Sequence, residues 1–62
     1  MSQHPTILVR MPEVLRRTGL SRSTLYRMCA TGDFPRPVAL GARARAWRQD
    51  DIDDWIAARE SV

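Results

Sequence analysis

The stretch Gly19-Leu20-Ser21-Arg22-Ser23-Thr24-Leu25-Tyr26-Arg27-Met28 reads as the end of one helix, a turn and the start of a second helix. Gly19 supplies the freedom that ends the first helix, and Ser21 is a preferred N-cap whose hydroxyl accepts from a backbone N–H two or three residues on. Leu20, just before the cap, and Leu25, four residues into the helix, hold the hydrophobic-staple positions, so their packing sets the angle at which the chain enters. Leu25, Met28 and Cys29 share one face at i, i+3, i+4. Ser23, Tyr26, Arg27 and Ala30 then face outward, with Arg22 and Thr24 on the flanks.

That outward face is polar, small and basic, which suits a DNA major groove: Arg reaches guanine O6 and N7 with two hydrogen bonds, and Ser or Thr serves base or phosphate. Arg22, Ser23 and Arg27 are expected to read base edges, and Ser21, Thr24 and Tyr26 to hold phosphates. The same pattern also describes an ordinary Ser-capped amphipathic helix with solvated arginines. The flanking segments weigh between the two.

Upstream, Ile7-Leu8-Val9 is too short for more than an edge strand or an extended lead-in. Pro12 is expected at the first position of a helix of about two turns, with Glu13 complementing its dipole and Val14 and Leu15 on its buried side. Arg16 and Arg17 form its exposed end, suited equally to the helix C-terminus and to a phosphate. Downstream, Gly32 ends the second helix near Ala30, and Phe34-Pro35-Arg36-Pro37 must be extended, with Phe34 a core anchor and Arg36 a candidate phosphate contact. Val38-Ala39-Leu40 and Ala44-Arg45-Ala46-Trp47-Arg48 read as a hairpin joined by Gly41-Ala42-Arg43. Arg43 and Arg45 sit at its tip and Arg48 farther along. An Arg-tipped hairpin beside a helix-turn-helix is the wing of a winged helix, and Trp47 is expected in the core opposite Val38 or Leu40. A last helix, Gln49 to Arg59, places Asp50 and Asp51 in its first turn and Ile52, Trp55 and Ile56 on one stripe. The expected fold class is mainly α with a small β-hairpin: three helices plus a wing, over residues 7–60, behind a flexible arm of residues 1–6.

Sixty-two residues allow one small core and make a deep enzymatic cleft improbable. One cysteine and one histidine, Cys29 and His4, cannot form a disulfide or a four-ligand zinc site, so no metal or cofactor is expected. Cys29 also has no neighbouring base and lies on the apolar face, which suits a core residue. No apolar run is long enough to cross a membrane, and Met1-Ser2-Gln3-His4-Pro5 lacks a secretory plan, which points to the cytoplasm. The net charge of +3 conceals an asymmetry: residues 1–48 carry nine Arg against Glu13 and Asp33, whereas residues 49–62 carry Arg59 against Asp50, Asp51, Asp53, Asp54 and Glu60. A basic body implies an acidic partner, double-stranded DNA first. The acidic last helix faces away from phosphates, either pairing with Arg16 or Arg17 of its own chain or meeting a neighbouring copy's arginines in a head-to-tail array.

Taken together, Pro12-Glu13-Val14, Thr18 to Arg27, Gly32-Asp33-Phe34-Pro35, Val38-Ala39-Leu40-Gly41, Ala46-Trp47-Arg48 and Ile52-Asp53-Asp54-Trp55-Ile56 resemble the AlpA family of small prophage regulators over about residues 8–60. The resemblance implies a winged helix-turn-helix of the MerR and excisionase type. In that arrangement the helix after the turn enters the major groove and the wing touches adjacent minor groove or backbone. It implies a transcriptional regulator without cofactor or catalysis, or else an excisionase that binds and bends attachment-site DNA for an integrase. The chain departs from MerR proteins in the long C-terminal dimerisation helix and effector domain, so dimerisation and ligand sensing stay open; an integrase or the transcription machinery is a further candidate partner. The competing class is a protein-interaction module gripping an acidic partner through the arginine face.

Overall fold

In the computed structural model, residues 7–59 are described; the terminal arm and Glu60 lie outside them. The order is β1 (Leu8–Val9), α1 (Met11–Thr18), α2 (Arg22–Thr31), β2 (Val38–Ala39), β3 (Arg45–Arg48) and α3 (Gln49–Ala57). Three helices and a small antiparallel sheet in this order make a winged helix-turn-helix. Both glycine-ended helices stop as their sequence demands: Gly19 (φ 75°) and Gly32 (φ 86°) are left-handed, and the Gly19 N–H closes on the Leu15 carbonyl at 2.8 Å. Helix α1 begins one residue before Pro12, with Arg10 at its N-cap. Pro12 is therefore its second residue, still within the first turn, where a missing N–H leaves no helical bond unmade.

The wing is more than the expected hairpin. The sheet order is β1-β3-β2, so Ile7-Leu8-Val9 contributes an edge strand and β3 becomes central. Leu8 pairs with Arg48 and Val9 with Trp47, and the Gln49 N–H extends the ladder to the Ile7 carbonyl at 2.8 Å. This corrects the expected neighbour of Trp47. On the other side Val38 pairs with Ala46 and Ala39 with Arg45, so Trp47 lies opposite Val9 rather than Val38 or Leu40. Leu40 donates its N–H to the Ala44 carbonyl at 2.7 Å to close the turn, and its side chain stays exposed.

Val14, Leu25, Phe34, Trp47 and Ile52 form the buried cluster, drawn from α1, α2, the proline segment, β3 and α3, with Leu20, Met28, Cys29, Trp55 and Ile56 packed around it. Each large apolar side chain so buried contributes about 1.5–3 kcal/mol relative to exposure. Phe34 meets Trp47 and Trp55 edge-on, with ring centroids 6.4 and 4.7 Å apart. Both indoles donate to the segment around it, Trp47 Nε1 to the Pro35 carbonyl and Trp55 Nε1 to the Asp33 carbonyl, each at 2.8 Å. The segment that leaves α2 is thereby fixed against the wing and α3 together.

Candidate nucleic-acid interface

The turn between α1 and α2 is built as its residue types require. Ser21 is extended (φ −78°, ψ 160°), and its Oγ accepts from the Thr24 backbone N–H at 3.3 Å. The same hydroxyl donates to Thr24 Oγ1 at 2.9 Å, so its proton is engaged while the Thr24 proton is free to reach outward. Leu25 is fully buried and the adjacent Tyr26 is 49% exposed, which fixes the rotation of α2. Arg22, Ser23, Arg27 and Ala30 are also exposed, and Thr24 is half-buried.

Beside this face lies an open cleft of about 550 Å³ between the N-termini of α1 and α2 and the hairpin, lined by Arg10, Arg22, Arg43, Arg45, Tyr26, Ala42 and Trp47 among others. A second, of about 430 Å³, is lined by Tyr26, Cys29, Arg36, Pro37, Ala39 and Arg45 among others. Tyr26 and Arg45 border both clefts, and among the described residues no carboxylate lines either. The fold thus gathers Arg22, Arg43 and Arg45 in one cleft and adds Arg36 in the next. Ser23 and Arg27 stand on the exposed helix face outside both. Arg10 belongs to this group although its position in the sequence gives little sign of it; the only cue is an arginine immediately ahead of a proline-marked helix start.

The remaining arginines line neither cleft. Arg16 meets Glu13 through two hydrogen bonds, Nε to Oε1 at 2.9 Å and Nη2 to Oε2 at 2.5 Å. The hydrogen-bonded guanidinium holds the Glu13 carboxyl below its usual range and raises Arg16 in return. Arg17 is not on the exposed end of α1: its side chain is 24% exposed and ion-paired with Asp53, tying α1 to α3. That carboxylate is thus engaged within its own chain. Arg48, exposed at the N-cap of α3, lines neither cleft.

Among the described residues no three His, Cys, Asp or Glu side chains gather where a metal ion could sit, and no helix is long and apolar enough to cross a membrane. The Cys29 Sγ–H approaches the Pro35 carbonyl at 3.5 Å, and burial pushes the thiol up from its ordinary value, which leaves it a poor nucleophile at neutral pH.

Residues 7–60, which contain the whole helix-turn-helix and wing, match the family described as prophage CP4-57 regulatory protein (AlpA). The chain belongs to the AlpA family. It is 43% identical over 51 residues to the uncharacterized protein ORF88 of Enterobacteria phage P4, an alignment covering 82% of this chain and 58% of that protein. It is 33% identical over 60 residues to the DNA-binding transcriptional activator AlpA of Escherichia coli K12, covering 84% of this chain and 83% of that one. The AlpA match contains both clefts and the exposed face of α2.

Proposed function

We propose that this AlpA-family chain is a sequence-specific regulator of transcription that binds double-stranded DNA. The observation that carries the reading is the exposed face of α2 flanked by an arginine-lined cleft that reaches to the wing and holds no carboxylate among the described residues. In this reading α2 enters the major groove, where Arg22, Ser23 and Arg27 meet base edges and Thr24 and Tyr26 meet phosphates. Ser21 keeps its cap and orients Thr24. Arg43 and Arg45 reach the neighbouring backbone or minor groove from the hairpin, and Arg36 meets phosphate from the second cleft. Arg16 and Arg17 are held by their own carboxylates and stay outside the contact set. The activator name of the Escherichia coli relative supports the transcriptional role.

Footprinting on DNA flanking the chain's own gene, followed by anisotropy titration of the protected sequence against random duplex, tests it. A protected site bound more tightly than random DNA is expected. In the same assay Arg27→Ala should cost about 1–3 kcal/mol at the protected site and relax preference at one base pair. A variant that keeps the wild-type ratio of specific to random binding would remove Arg27 from the base-reading set. Binding to an acidic protein partner with no footprint would replace the DNA reading by that of an interaction module.

A further inference from the structure

We propose that Arg10 is a DNA contact, holding the phosphodiester backbone together with Arg43 and Arg45 in the cleft between the helix-turn-helix and the wing, which Arg22 also lines. The inference rests on the DNA-binding reading above and adds to it a residue from outside α2 and the hairpin.

The placement of these charges argues for an anion. Arg10 is the N-cap of α1 and makes no side-chain cap hydrogen bond, and Arg22 is the first residue of α2. A cation at a helix N-terminus opposes the dipole, so neither residue is there for the sake of its helix. With Arg43 and Arg45 they bring four guanidiniums to one cleft of about 550 Å³, and none of the four is in either ion pair found among the described residues. Like charges gathered without a counter-charge repel one another, and a bound anion reverses the sign of that interaction.

Continuity with α2 selects the occupant. Arg22 and Tyr26 belong both to the cleft and to the exposed helix face, so a duplex that takes α2 in its major groove carries a phosphate strand past the N-terminus of that helix. Such a strand is gripped from α1 and α2 on one side and from the wing on the other. Docking of the helix and docking of the wing then occur on one stretch of backbone.

The test is equilibrium binding of the full chain to its preferred duplex and to random duplex over a range of salt, with Arg10→Ala and Arg10→Lys. The alanine variant keeps the Arg10 carbonyl that accepts from the Val14 N–H at 3.1 Å, and its fold is checked by circular dichroism. Loss of one phosphate contact should make the slope of log K against log salt shallower by about 0.9. Affinity for both duplexes should fall by the same factor, with the ratio between them unchanged, and Arg10→Lys should restore the slope. An unchanged slope in a wild-type background that still discriminates sequences overturns the clamp and leaves the DNA reading standing. A changed ratio would make Arg10 a base reader and overturn its phosphate role. A wild-type chain that shows no sequence preference and no salt-dependent DNA binding overturns both.

Discussion

Leu25 and Tyr26 are adjacent in sequence and opposite in fate, and the functional reading depends on that rotation of α2. Leu25 is fully buried in the cluster with Val14, Phe34, Trp47 and Ile52, whereas Tyr26 is 49% exposed between the two arginine-lined clefts. Replacing a fully buried Leu by Ala costs about 2–5 kcal/mol through lost transfer energy and the cavity left behind. A chain of this length has a total stability of about 3–9 kcal/mol at ordinary values per residue. Leu25→Ala should therefore remove a large part of the stability, and Tyr26→Ala should stay within about 0.5 kcal/mol of the parent. Urea titration followed by tryptophan fluorescence reports both, because Trp47 is buried in the same cluster and Trp55 packs against it. With a urea slope of about 1 kcal/mol per molar, the Leu25→Ala midpoint should fall by about 2 M or more, or the transition should vanish. DNA affinity should show the reverse ranking once the Leu25 variant is held folded at low temperature. If the Leu25→Ala midpoint moved by less than about 0.5 M, or Tyr26→Ala fell as far, α2 would be rotated and the assigned outward face would be wrong.

Arg43→Ala combined with Arg45→Ala should flatten the salt dependence of DNA binding by nearly two units if each touches its own phosphate, at about 0.9 apiece; an unchanged slope would mean that the hairpin points away from the duplex. Asp53→Asn should cost less than about 1 kcal/mol because both partners of the Arg17–Asp53 pair are partly solvated, and the loss should shrink in high salt. A larger loss that persists in high salt would show that the α1–α3 tie matters more than a surface pair does. Cys29 should be alkylated by iodoacetamide at pH 8 more slowly than a free thiol, because burial pushes its thiol up and so lowers the thiolate fraction, and unfolding in urea should speed the reaction. Equal rates in the folded and unfolded chain would contradict that burial.

Local chemistry determined the helix-turn-helix. A serine cap, two terminal glycines and an i, i+3, i+4 apolar stripe act over distances of one or two turns, so the start of α2, its buried side and its exposed side were legible in the residues themselves. The same holds for Phe34, which two prolines and a helix stop leave nowhere to go but the core. Pairings between distant segments were decided only by the tertiary structure. Two-residue strands carry no register of their own, so the partnership of Val9 with Trp47 and the central place of β3 follow from how the segment before α1 folds back across the sheet. Arg17 shows the same limit: its partner Asp53 is 36 residues away, and a charge pattern along the chain cannot say which carboxylate a guanidinium will meet. Arg10 is the case that matters most for function. In sequence it precedes a helix by one residue, and only the packing of α1 beside the wing sets its charge next to Arg22, Arg43 and Arg45.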